Sequence, residues 1–343
     1  MFVRRAYFVW ACLAAGAVRS ALGAGAARGA ATTYTGAVVE FASLRVNSTM
    51  LPADAKVSHM LGNVAAFAPF VQKAKAGGAQ IIVFPEYAIT GAGTTDASGM
   101  DPLKRHPFDR DDAEGFCESV PQPHANLTLC TQAAARDHPV VQALACLAKS
   151  HGIVLVANLL ERENCATTTN TKASHFAEDA SPCRGGRRQF NTAIAFDESG
   201  SLVAKYHKRH LYGHEKKSLD RGRDRQPNSS FMSSFGVRFG MFVCYDILFE
   251  QVLPFDVHDY VYPTEWVNWI HGDFPLERST SVQKRWSFNH EKNLLAANYG
   301  GLGFKASGSG IWSHGEKLAE YFNPSRQPKS RLLLAEINTH RNM

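Results

Sequence analysis

Two stretches, Gln80-Ile-Ile-Val-Phe-Pro85 and Ile153-Val-Leu-Val-Ala-Asn158, most constrain what this chain can fold into. Each is a short continuous apolar run, the pattern of a strand covered on both faces by other layers. A helical pattern stands before each run. Val57, Met60, Leu61, Val64, Phe67, Phe70 and Val71 fall at helical spacing and close at Gly77-Gly78, and a second apolar helical pattern over 139–150 leads through Gly152. With residues 36–46 as a first strand, the order is strand, helix, strand, the opening of an α/β domain.

The rest of the chain extends that domain. Segments 190–197 and 202–206 flank Glu198-Ser-Gly200 and read as a hairpin. Further strands are expected at 237–244, 259–263, 293–298 and 331–337, with a helix at about 279–292. Residues 91–137, rich in Gly, Asp and Pro, read as a long excursion, and the polar segment 161–189 as a loop. A chain of 343 residues with 45% hydrophobic content can bury a large core, and there is no internal repeat or clear break within 35–337.

Residues 1–23 read as a secretory signal: Arg4 and Arg5, an apolar run over 6–18, then Ala21-Leu22-Gly23. The run is short for a membrane span, and the alternative reading is an uncleaved anchor. Removing Arg4, Arg5 and Arg19 takes the formal charge from +6 to +3 (6 − 3), too little to indicate nucleic-acid binding. The basic clusters at 184–188 and 205–225 read as solvated loops. Secretion also sets the reading of the seven cysteines, of which Cys12 leaves with the signal. Cys117 and Cys130 bracket one polar loop and Cys165 and Cys183 another, so two local disulfides are expected. Cys146, on the second helix, reads as a buried free thiol. Sequons at Asn47, Asn126 and Asn228 are expected glycosylation sites.

Chemistry concentrates where apolar strands end in a reactive residue. In Phe239-Gly-Met-Phe-Val-Cys-Tyr-Asp-Ile-Leu-Phe-Glu250 the run ends at Cys244, a candidate nucleophile. A helix beginning there would favour its thiolate; equally, a lone cysteine is a common core residue. Ile82-Val-Phe-Pro-Glu86 ends in a carboxylate whose apolar surroundings should raise its pKa, as suits a general base, or else serves as a rim carboxylate. Lys208, in Val203-Ala-Lys-Tyr-His-Lys208, leaves a strand for a loop and taken alone could be a solvated lysine. Asp246 reads as a cap for the helix after Cys244. His207, His210 and His214 fall at metal-like spacing without a supporting H-E-x-x-H pattern, and the Gly-rich segment after Gly301 reads as a loop. No G-x-S-x-G elbow occurs.

Glu, Lys and Cys at three strand ends, in that order, resemble the carbon–nitrogen hydrolase (nitrilase) superfamily. Phe84-Pro-Glu-Tyr-Ala-Ile-Thr-Gly91, Tyr206-His-Lys-Arg-His-Leu-Tyr212, Cys244-Tyr-Asp-Ile-Leu-Phe249, Val261-Tyr-Pro-Thr-Glu-Trp-Val-Asn268, Asn293-Leu-Leu-Ala-Ala-Asn298 and Ser307-Gly-Ser-Gly-Ile311 narrow the resemblance to the vanin and biotinidase branch over about 35–337. It implies a four-layer α-β-β-α sandwich and cysteine-dependent hydrolysis of a secondary amide without metal or organic cofactor. It implies Glu86 as general base and acid, Lys208 as oxyanion stabiliser and Cys244 as nucleophile, with Glu215 as a possible second glutamate or else an exposed loop residue before Lys216-Lys217. Tyr262, Pro263, Thr264, Glu265 and Trp266 would line the substrate pocket, or else pack beneath the neighbouring loop.

The implied substrates are small-molecule amides, pantetheine first and biocytin second; a secreted, catalytically idle binding protein is a third possibility that intact Glu86, Lys208 and Cys244 oppose. The branch continues into a second, largely β domain, whereas this sequence stops at Met343. Oligomeric state is not legible.

Overall fold

The computed structural model describes residues 33–44, 52–91, 110–123, 128–131, 137–165, 183–213, 215–249, 257–268, 277–301 and 303–339. Residues 1–23, expected to be a secretory signal, and Asn47, Asn126 and His214 lie outside them.

The chain opens with β1 (Thr33–Glu40), α1 (Ala53–Ala76) and β2 (Ile81–Val83), the expected strand, helix, strand. Short α2 (Arg110–Glu114) and β3 (Cys117–Glu118) follow, then α3 (Pro139–His151), β4 (Val154–Asn164), β5 (Arg187–Phe196), β6 (Leu202–His207) and α4 (Glu215–Ser218). The second half holds β7 (Ser230–Met232), β8 (Arg238–Met241), β9 (Asp259–Thr264), α5 (Ser279–His290), β10 (Asn293–Asn298), β11 (Ser309–Ser313), β12 (Glu316–Tyr321) and β13 (Arg331–Asn338).

These strands make two mixed sheets. The first runs β13-β1-β2-β4-β5-β6, with β3 beside β4, and the second runs β12-β11-β10-β9-β8-β7. Alternation along the strands builds the layers. Ala37 and Val39 of β1, Ile82 of β2 and Leu155 and Ala157 of β4 face α1 and α3 and pack with Val64, Phe67, Val71, Leu144 and Ala148. Their neighbours Val38, Ile81, Val83, Val154 and Val156 face the second sheet and pack with Phe239, Val261, Leu294 and Leu295. Both faces are apolar because both are covered, which is why the sequence shows unbroken runs. The sheets approach closely at Gly36, where an added Cβ would lie 2.8 Å from both Ile337 and Leu295 side chains. Helix α5 lies against the second sheet, its Trp286 ring 5.0 Å from Phe242 and 5.2 Å from Tyr260. The four-layer sandwich is therefore present.

Helix ends follow the punctuation in the sequence. Gly152 takes a left-handed φ of 57° and closes α3. Its other end is capped from a distance: the Glu118 carboxylate accepts the Val140 and Val141 amides at 2.9 and 2.8 Å. The hairpin turns where expected, with Ser199 and Ser201 amides donating to Asp197.

The cysteines require a correction. Cys130 pairs with Cys146, not Cys117, while Cys165 pairs with Cys183 as expected. Cys117 is a buried free thiol whose Sγ donates to the Ala113 carbonyl. Sequence bracketing favoured the nearer loop partner, but β3 draws Cys117 into the first sheet opposite Leu160, leaving Cys130 to the α3 face.

Candidate active site

Three strand ends converge between the sheets. Glu86 follows β2 and Pro85, Lys208 follows β6, and Cys244 follows β8, so parallel layers bring together residues remote in sequence. Lys208 Nζ donates to Glu86 Oε1 at 2.7 Å and to Glu215 Oε2 at 2.8 Å, all three being at most 2% exposed. Glu215 is thus no exposed loop residue. It also accepts the Tyr212 amide at 2.7 Å and the Tyr87 hydroxyl at 2.5 Å.

Asn191, on β5, was not singled out from the sequence. Its amide donates to both carboxylates, 2.7 Å to Glu86 and 2.9 Å to Glu215, and its oxygen accepts from Asn158 at 2.6 Å. Asn158 accepts the Tyr87 amide at 3.0 Å. An asparagine in an apolar strand, Phe190-Asn-Thr-Ala-Ile-Ala-Phe196, was the signal available. A buried side-chain amide needs partners, and here they are the charged groups themselves.

Cys244 opens a five-residue 3-10 turn, Cys244–Leu248, with φ 47°, a left-handed conformation that a non-glycine residue holds only at a cost of about 1–3 kcal/mol. Two contacts hold it there. Tyr262 hydroxyl donates to the Cys244 carbonyl at 2.8 Å, and the Asp246 carboxylate accepts the Val243 amide at 3.1 Å. Asp246 therefore caps the turn, as expected, and also takes the Tyr206 hydroxyl at 3.0 Å and the His210 amide at 2.8 Å, joining the thiol's turn to the lysine's loop.

Burial dominates the electrostatics. It pushes the Cys244 thiol well above its ordinary pKa, the Glu86 charge adds to this, and Lys208 and the neighbouring Thr264 side chain oppose it. This corrects the expectation of a thiolate favoured by a helix start: the turn is short, the sulfur is dry, and the resting group is the thiol. Burial also raises Glu86, against the pull of Lys208. Burial works against the charge on Lys208 too, but Glu215 and Glu86 more than compensate and hold it a cation.

A pocket of about 50 Å³ opens beside the thiol, lined by Tyr212, Cys244, Tyr245, Leu248, Glu265, Trp266 and Val267. Of the predicted pocket residues, Glu265 and Trp266 are there. Tyr262 and Thr264 are not: both are buried beneath it, where β9 lies inside the second sheet. The Glu265 amide donates to Glu86 Oε2 at 2.7 Å, fixing that carboxylate's second oxygen. Burial and the charges of Glu86 and Glu215 push the Glu265 carboxyl well up. That shift favours the neutral acid over a third negative charge in the cluster.

The histidines are committed elsewhere, His207 to Glu161 at 2.8 Å and His210 to Asp246 at 2.9 Å. The described residues contain no group of three or more His, Cys, Asp or Glu placed to hold a metal.

Comparison with known proteins agrees with this architecture. The carbon-nitrogen hydrolase family model matches residues 43–254. Pantetheinase of Homo sapiens is 30% identical over 317 residues, 90% of this chain and 55% of that protein. Vanin-like protein 2 of Drosophila melanogaster is 30% identical over 295 residues, 82% of this chain and 47% of that one. The chain spans about half the length of these relatives. Among solved structures, an amidase from Nesterenkonia sp. shares the fold, with TM-score 0.55 and 19% identity over 89% of this chain and 90% of its own. This chain belongs to the carbon–nitrogen hydrolase family of the nitrilase superfamily, in its vanin branch.

Proposed function

We propose that the chain is a secreted amidohydrolase that cleaves a secondary amide through an acyl-enzyme on Cys244, with pantetheine as substrate. The observation that carries this reading is Lys208, buried and shared between Glu86 and Glu215 beside a thiol at the wall of an apolar pocket.

Because the resting sulfur is a thiol, attack needs a base. Glu86, with its raised pKa, takes the thiol proton as Sγ bonds to the amide carbon. Negative charge then develops on the former carbonyl oxygen, and the Lys208 ammonium, fixed by two carboxylates, stabilises it without reorganising. The carbon–nitrogen bond breaks as Glu86 returns its proton to the departing amine. Glu86 next takes a proton from water, whose oxygen attacks the thioester; the carboxylic acid leaves and the thiol is restored. Glu215, Asn191 and Tyr87 are positioning residues, and Glu265 and Trp266 contact the substrate.

Several features support the details. Curated relatives over 90% of the chain are pantetheinases. A variant of the Nesterenkonia amidase carries the acetamide moiety of fluoroacetamide covalently at its active-site cysteine. Two disulfides fit an oxidising compartment.

The test is amine release by the purified protein from pantetheine and biocytin in parallel, beside Cys244→Ala. Cysteamine release that vanishes in the variant is expected. Lysine release from biocytin alone would move the substrate to biotin amides, and inertness of the folded protein on both would remove the pantetheine and biocytin readings and leave a binding protein or another amide.

A further inference from the structure

A second and larger cavity, about 310 Å³, lies on the face of the first sheet that points away from Cys244. Strand alternation separates the two sites. Lys208 pairs across with Asn191 and shares its face with Tyr206, whereas Lys205 and His207 point to the opposite face, where both meet Glu161.

Five cations line this cavity, Lys205, Arg188, Arg221, Arg223 and Arg225, against one acid, Glu163. Some of that charge is already met, Lys205 by Glu161 at 2.7 Å and Arg221 by Asp224. Arg223 and Arg225 have no carboxylate partner among the described residues. A concave surface with unmet cations focuses its field on an anion, and guanidinium forks match a tetrahedral oxyanion.

The arginine segment is fastened rather than loose. Gly222 amide donates to the Lys208 carbonyl at 2.9 Å, and Gln226 brackets His207, accepting its amide at 2.7 Å and donating to its carbonyl at 2.8 Å. Only glycine allows this approach, since a Cβ at residue 222 would lie 2.2 Å from the His207 oxygen. Behind the segment, the Phe190 ring stacks on His207 at 3.9 Å. Anchored backbone lowers the ordering cost of binding.

We propose that this cavity binds the oxyanion of a phosphate or sulfate monoester, held by Arg223 and Arg225 with Arg188. Small-molecule sites run from about 300 Å³ upward, so the volume admits a small carrier group as well as the anion. Glu163 then faces hydrogen-bond donors on that carrier. The site uses none of the thiol chemistry and stands independently of the amide reading.

Calorimetric titration of the full chain, made without N-glycans, tests it with inorganic phosphate, inorganic sulfate, glycerol 3-phosphate and a heparin-length sulfated oligosaccharide. Saturable one-to-one binding of a small oxyanion is expected, weakened about tenfold or more in Arg223→Gln/Arg225→Gln, since each arm removes a charge-assisted hydrogen bond. Binding of the small ligands supports a monoester of a metabolite as the source. Binding of the sulfated oligosaccharide together with sulfate points to a sulfated glycan. Absence of saturable small-ligand binding, equal binding by the double variant, or binding of the long chain alone would each overturn the site. An unchanged rate of Cys244 alkylation in the variant confirms that its fold is intact.

Discussion

Lys208 and Glu86 lie 122 residues apart in sequence and 2.7 Å apart in space, both buried, with Glu215 completing the lysine's coordination by carboxylates. One cation between two carboxylates leaves a net negative, dry cluster. Burial first, and that excess of negative charge second, raise both the Glu265 carboxyl and the Cys244 thiol.

Removing the cation should therefore cost both fold and function. Lys208→Met strands two buried carboxylates and is expected to destabilise by about 3–5 kcal/mol as well as abolish turnover. Thermal melts and amine release check this; an unchanged melting temperature would mean the pair is not buried as described.

Glu86 should set the acid side of the pH profile. The base must be ionised, and its pKa is raised by burial, so kcat/KM should fall on acidification at a pH above the ordinary carboxylate value of 4.5. Asn191→Leu removes a donor to the ionised form and is expected to move that limb further up while lowering kcat, because losing a hydrogen bond to a charged group costs about 1.5–3 kcal/mol. A variant profile superimposable on the wild type would exclude the role given to Asn191.

Glu40 offers a pH test away from the thiol. Burial lifts it to about 7 despite hydrogen bonds from Ser307, Gly308 and Ser309. A raised acid favours folding while protonated, so its contribution is present below the unfolded pKa and is lost as pH rises through the folded value. Between 4.5 and about 7 the wild type should lose about 3 kcal/mol on this account, and Glu40→Gln should flatten that loss. Denaturant midpoints at pH 5 and 7.5 give the answer, with parallel slopes for the two proteins refuting it.

The disulfide correction is also open to measurement. Cys130–Cys146 closes a separation of 16 residues, so Cys130→Ser should destabilise by about 3 kcal/mol. Peptide mapping should find Cys117 free and alkylated only on unfolding; a Cys117–Cys130 crosslink would restore the original pairing.

Which parts were legible follows from physics. Strand ends bearing Glu86 and Cys244 stood out because buried strands leave unbroken apolar runs; Lys208, after the mixed segment Leu202–His207, gained its role only through the family resemblance, which also implied the four layers. Short strands such as Ser230–Met232 and the exposed Glu316–Tyr321 carry no such run. Tyr262 and Thr264 were placed in the pocket because a motif gives position along the chain, not the face of β9 on which a side chain falls. Asn191 was missed for a related reason: its role exists only once β5 is set against β6, where it meets carboxylates from two other elements. The thiol's ionisation depended on burial depth, which no local pattern states.

The most direct test of the account is the chemical state of Cys244 during turnover. Wild-type protein mixed with pantetheine, quenched in acid and digested, should show a pantothenoyl thioester on the peptide containing Cys244, and Cys244→Ala should show neither adduct nor cysteamine release. Turnover that persists in Cys244→Ala, or an adduct on another residue, would contradict it.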